Sequence, residues 1–251
     1  MTAAAASTST AASSSSSASA AAASSNGHDK QHSGAPLTTR PTTPLQHDPT
    51  RSRPMYAGAS SGPTPPFPVY LEGWVTRGFG RGSKDLGCPT ANLPDSSIVP
   101  YATTLSTGVY FGFARVSDPN ETQNESAFPT MTGQHDDVYP MVMSIGFNPY
   151  YKNEKRTAEV HILHEYPSDF YGKELRVVML GFIRPEYNYA SLDALIDDIN
   201  TDKQVAERSV NRQGYKQFER DEFFTRSSRL QPLPPDQDPT KPRPKPQDHT
   251  A

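Results

Sequence analysis

Apolar side chains are confined to one stretch of this chain, and that confinement limits what can fold. From Thr2 to Ser25 every residue is Ala, Ser or Thr. Asn26 to Pro66 mixes Gly, His, Pro, Thr and Arg with almost no large apolar side chain, and Gln231 to Ala251 is spaced by prolines and charges. Such stretches bury too little apolar surface to offset the cost of ordering a backbone, roughly 1–2 kcal/mol per residue. The expected organisation is a disordered low-complexity tail over residues 1–66, one folded domain over 67–224 and a disordered Pro-rich tail over 225–251. A domain of about 150 residues is ample for one core.

The domain has no strong charge bias, which argues against nucleic acid or a membrane surface as partner. No apolar run approaches the roughly 20 residues of a membrane span, and no basic segment precedes a hydrophobic stretch at the amino terminus, so a secretory signal is not expected. The Ser-rich start faintly suggests a mitochondrial presequence, but the first arginine is Arg40. A cytoplasmic location is the expectation, with mitochondrial import as the lesser alternative. Cys88 is the only cysteine, which forbids a disulfide within the chain and suits a reducing compartment.

Within the domain, Val69–Thr76, Gly108–Val116, Tyr139–Ile145, Ala158–His164 and Glu174–Ile183 are rich in β-branched and aromatic residues, with Gly, Pro, Asn and Asp between them. In Ala158–His164 the alternation puts Glu159, His161 and Leu163 on one face and Val160, Ile162 and His164 on the other. One segment has a helical period: Leu192, Leu195, Ile196 and Ile199, after Ser191 as N-cap. The apolar stripe falters at Asp202 and Lys203, so a break near Asn200 and a restart towards Arg208 are expected. Strands that do not alternate with helices point to an all-β fold, a small antiparallel barrel with a late helix packed outside it. Polar residues 117–137 read as a surface insertion in a hairpin.

Four patches carry chemistry. The first is TRGFGRGSKDLG, where Gly78, Gly80 and Gly82 alternate ahead of Lys84. Glycines let backbone N–H groups face an anion and the lysine adds a point charge, yet a plain hairpin turn would look similar. It matches neither a Walker A loop nor a dinucleotide fingerprint. The second is Pro89-Thr90-Ala91-Asn92, whose hydroxyl and amide two residues apart share a side of an extended backbone. They suit a hard cation with phosphates, or they cap their own backbone. The third is Glu159, a carboxylate in an apolar strand: a general base if it faces a cleft, surface otherwise. The fourth is the aromatic run around Arg184, which suits a flat heteroaromatic ligand or simply core.

In order along the chain, GWVTRGFGRGSKDLGCPTANL, STGVYFGFA, SIGFNPYYKNEKRTAEVHIL, DFYGKELRV and FIRPEYNYASLDALIDDINTD closely resemble riboflavin kinases of the monofunctional eukaryotic type. The resemblance spans Gly73 to about Ala206. It implies a six-stranded antiparallel Greek-key β-barrel with a C-terminal helix, transferring the γ-phosphate of ATP to the ribityl hydroxyl of riboflavin to form FMN. It implies that Gly78 and Lys84 meet ATP, and that Thr90 and Asn92 hold Mg²⁺ against the phosphates. Zn²⁺ is a possible substitute metal. Glu159 stands at the family's essential carboxylate, Ile162, His164 and Tyr171 at the nucleotide pocket, and Arg184, Tyr187 and Tyr189 around the flavin. Tyr187 departs from a position where a basic residue can stand. The substrates are small molecules, and a monomer is expected. With no nucleotidyltransferase domain ahead of the barrel, FAD synthesis is not expected. Two rival readings are a flavin- or FMN-binding barrel without catalysis and a scaffold whose tails recruit partners; neither consumes ATP.

Overall fold

The computed structural model describes residues 45–78, 87–117, 137–147 and 156–231, with Leu233 and Pro239. The short strand β1 (Leu45–Gln46) precedes β2 (Val69–Trp74), β3 (Ala91–Leu93), β4 (Gly108–Ser117), β5 (Val138–Phe147), β6 (Arg156–Ile162), β7 (Glu174–Arg184) and β8 (Tyr187–Asn188). Two helices follow, α1 (Leu192–Val210) and α2 (Gln213–Lys216). Strands β2 to β7 form one six-stranded antiparallel sheet in the order β2-β7-β4-β5-β6-β3. The sheet curls until its edges meet: Thr76, just past β2, bridges to Asn92 in β3. This is the expected barrel, closed at that point by a single bridge.

Two cores lie on opposite sides of the sheet. Inside the curl are Leu71, Leu93, Tyr110, Ala114, Met141, Met143, Val160, Leu175, Val177 and Met179. Outside, beneath the helices, are Phe111, Phe113, Val178, Leu180, Val205, Val210, Tyr215 and Phe224. Neighbouring residues of β4 and β7 therefore face different cores, and both strands are buried on both faces. That is why GVYFGFA shows no polar–apolar alternation. β3 and β6 have one free face: Ala91, Leu93, Ala158, Val160 and Ile162 point inward, whereas Asn92, Glu159 and His161 stay half-buried on the other side.

Helix α1 starts as expected, with the Ser191 hydroxyl accepting from the Ala194 N–H at 3.2 Å. It does not break near Asn200; it runs unbroken to Val210. The residue that interrupts the apolar stripe, Asp202, lies on the buried face with Asp198, and both are held by arginines. The inward stripe is Asp198, Asp202, Val205 and Ser209, polar at one end and close-packed at the other.

Contacts extend beyond residues 67–224 on both sides. β1 lies parallel to β8, and Ala57 is buried, its N–H donating to Ser209 Oγ at 2.9 Å. The Arg212 guanidinium donates to the carbonyls of Ala57, Gly58 and Ala59, and the Tyr215 hydroxyl also donates to Ala59. At the other end, buried Arg176 donates to the carbonyls of Phe223 and Arg226, Arg226 pairs with Glu72 at 2.9 Å, and Trp74 Nε1 donates to the Gln231 carbonyl at 2.9 Å. The expected insertion 117–137 lies outside the described residues except for its ends, where Ser117 reaches Glu174 and Asp137 pairs with Arg115.

Candidate active site

Of the polar residues singled out from sequence, Thr90, Asn92 and Glu159 meet on the free face of β3 and β6. In the β3–β6 ladder Asn92 lies directly opposite Glu159, and on the other flank of β6 Glu159 lies opposite Ser144. Thr90 Oγ1 is 3.4 Å from Glu159 Oε2, long for a hydroxyl bond but within reach of one shared ligand. Gly78 packs against the same group: a Cβ added there would come within 2.6 Å of Asn92 Nδ2. A larger residue there would push the Asn92 amide aside, so the glycine leaves that amide free to face the site, independent of any nucleotide. Lys84 lies outside the described residues.

His161 fixes the approach to Thr90. Its Nδ1 is 2.8 Å from the Pro89 carbonyl oxygen, an acceptor only, so that nitrogen carries the proton. Burial lowers the His161 pKa, opposed by the bond to Pro89 and assisted by Lys203, so the neutral ring is favoured. Beside it, Cys88 is buried and Lys203 Nζ donates to the Gly87 carbonyl at 3.3 Å. Burial pushes the Cys88 thiol up; Lys203 pulls against this, and Asp202 and Glu159 add to it. These residues join the Glu159 group to α1.

The nucleotide positions are divided. Arg77, next to Gly78, lies 5.1 Å from the Tyr171 ring centroid, and the Gly172 N–H donates to the Val75 carbonyl at 2.9 Å, so Tyr171 sits beside the start of the glycine run. Ile162 points into the inner core. His164 is exposed and stacks on Tyr139 with centroids 3.8 Å apart and planes 8° apart, with Tyr166 edge-on to both.

The flavin positions form a second group. The Arg184 guanidinium lies 5.4 Å from the Tyr187 ring and 6.0 Å from the Tyr189 ring, but its nitrogens face the protein. They pair with Asp202 at 2.7 Å and Asp198 at 3.2 Å and bond the Pro185 carbonyl. The Tyr189 hydroxyl donates to Asp198 at 2.5 Å, and Arg53 bonds both aspartates from the N-terminal side. Removing one partner from such a buried set costs about 3–5 kcal/mol, so these groups hold one another before they hold a ligand.

The donor set can be tested against a metal. Among the described residues no three His, Cys, Asp or Glu side chains gather to bind an ion by themselves. Thr90, Asn92 and Glu159 offer oxygens, which suit Mg²⁺ arriving with nucleotide phosphates. Zn²⁺, with its preference for nitrogen and sulfur, gains no support here.

Ser144, Cys88, Lys203 and His161 were not singled out from sequence. Ser144 becomes visible only through cross-strand register, and Lys203 only through the path of α1. His161 shared the predicted face with Glu159 and could have been found by that alternation.

The family model for riboflavin kinase (flavokinase) matches residues 65–210. The riboflavin kinase of Pyricularia oryzae is 50% identical over 169 residues, covering 65% of this chain and 82% of that protein. The riboflavin kinase of Chaetomium globosum is 44% identical over 197 residues, covering 68% and 83%. A crystal structure of riboflavin kinase from Trypanosoma brucei aligns with a TM-score of 0.49 and 28% identity, over 68% of this chain and 95% of that one; family membership rests on the sequence matches.

Proposed function

The chain belongs to the riboflavin kinase family, and we propose that it transfers the γ-phosphate of ATP to the 5′-hydroxyl of the riboflavin ribityl chain, releasing ADP and FMN. The observation that supports this most directly is the convergence of Thr90, Asn92 and Glu159 on one face of the β3–β6 ladder. Phosphoryl transfer needs positioning and charge neutralisation more than covalent help from the protein. One carboxylate with two neutral oxygen donors beside a glycine run meets that need.

In this reading the ribityl hydroxyl approaches Glu159, which accepts its proton as the new P–O bond forms and the bond from the γ-phosphorus to the bridging oxygen breaks. Thr90 and Asn92 would hold the Mg²⁺ that arrives with ATP, and that ion would supply charge neutralisation for the phosphates. Gly78 lets the loop cross Asn92 and reach the nucleotide; Lys84 extends that contact. Tyr171 with Arg77, the core residue Ile162 and the stacked His164 shape the adenosine side. Tyr187 and Tyr189 flank the isoalloxazine, with Arg184 holding them from behind. His161, donating to the Pro89 carbonyl, keeps Thr90 aimed at the site. The chain acts as a monomer in this reading, and nothing in the mechanism needs a second copy.

The test is to incubate the chain with riboflavin and MgATP and separate flavins by chromatography. FMN and ADP should appear in equal amounts. Riboflavin binding without ADP release would instead identify a non-catalytic flavin-binding barrel.

A further inference from the structure

Residues before Phe67 reach the flavin end of the site. β1 pairs with β8 in the register Leu45–Tyr187 and Gln46–Asn188, and the His47 N–H donates to the Asn188 carbonyl at 2.9 Å. The His47 ring sits 4.8 Å from that of Tyr189 with 34° between the planes. Farther along, Arg53 Nη2 is 2.6 Å from Asp202 Oδ1, and Nη1 bonds Asp198. These are the two carboxylates that fix Arg184 and the Tyr189 hydroxyl.

We propose that Arg53 is a positioning residue for the flavin: by bridging Asp198 and Asp202 it holds Arg184 and Tyr189 where a planar heteroaromatic substrate meets Tyr187 and Tyr189. This rests on the reading that Tyr187 and Tyr189 face the flavin. The charges explain why the bridge matters. Arg53 and Arg184 face two aspartates whose side chains are each 3% exposed. Without Arg53 one cation serves two buried carboxylates. Asp198, the partner farther from Arg184, then loses one of its two cations and turns towards water. Tyr189, bonded to Asp198 through its hydroxyl, moves with it. Arg53 bonds Asp198 and Asp202 directly, whereas α1 reaches the Thr90 group only through the bond from Lys203 to the Gly87 carbonyl, so the effect falls chiefly on the flavin and much less on the nucleotide.

The experiment measures kinetics of the full chain with riboflavin and MgATP varied in turn, for the parent, Arg53→Ala, Arg53→Lys and Tyr187→Ala, with melting temperatures alongside. Arg53→Ala should raise the riboflavin KM about tenfold and leave the MgATP KM within about twofold. Arg53→Lys keeps the charge but loses the fork that spans two carboxylates, and should raise the riboflavin KM about threefold. If Arg53→Ala does not fold, the lysine variant carries the same split. Should Tyr187→Ala raise the riboflavin KM while neither Arg53 variant does, the proposal is overturned and the flavin reading survives. Proportional loss in both KM values, or in turnover alone, makes Arg53 a general support of the fold and also overturns it. If Tyr187→Ala leaves the riboflavin KM unchanged, the flavin reading fails and the proposal falls with it.

Discussion

Glu159 combines two demands that conflict in most strands. Its backbone is paired on both sides, opposite Asn92 and Ser144, so its position is fixed to within the tolerance of a β-ladder. Its side chain stays half-buried on the free face of β6, away from the core that takes Val160 and Ile162. A carboxylate so placed is rigid without being sealed in hydrocarbon, which is what a base meeting an incoming hydroxyl requires. Replacing Glu159 with Gln preserves shape and hydrogen bonding but removes a carboxylate able to accept a proton, the role proposed for it. Turnover should fall about 10²–10⁴-fold while riboflavin and MgATP bind nearly as in the parent, measured by steady-state kinetics and calorimetry. Near-parental turnover would end the assignment as base and leave a positioning role. The alternation in sequence already put Glu159 and His161 on one face. What it did not contain was the neighbour across the ladder, because register depends on how separate strands align.

Among the elements, β4 and β7 pack backbone against backbone at Gly112. Their pairing shifts register between Phe111 and Gly112, and a Cβ at Gly112 would fall 2.0 Å from the Val178 carbonyl oxygen. No side-chain rotation relieves a clash with a backbone oxygen, so the strands must separate. Gly112→Ala should therefore destabilise by about 3 kcal/mol or more, at or above the usual range for overpacking, as read by urea unfolding. Unchanged stability would mean that the two strands slide past each other freely. The main strands were legible because β-branched and aromatic runs are bounded by turn residues. β3 was not, being three residues of a motif whose composition reads as turn. The continuous run of α1 was also hidden, since Asp202 looks like an interruption until Arg53 and Arg184 are seen to meet it.

For the whole molecule, the N-terminal flank was hard to read because it attaches by polar bonds, not by apolar anchors. Arg53 meets two aspartates, Ala57 is the buried apolar residue of the stretch, and Arg212 and Tyr215 take backbone carbonyls. Low hydrophobicity signals disorder only when such partners are lacking. A chain beginning at Pro65 should be less stable than one beginning at Leu45 by about 3 kcal/mol, the loss expected when a buried carboxylate pair forfeits one of its cations. Calorimetric melting of the two chains measures the difference, and equal melting temperatures would show that the flank contributes nothing. The double burial of β4 and β7 has a consequence of another kind. The residues under the helices and those inside the curl share these two strands as a common wall, so neither half can lose its packing while the other stays intact. Unfolding is then a single cooperative event, and a substrate that binds only the folded chain raises the melting temperature of both halves together, whichever side it touches.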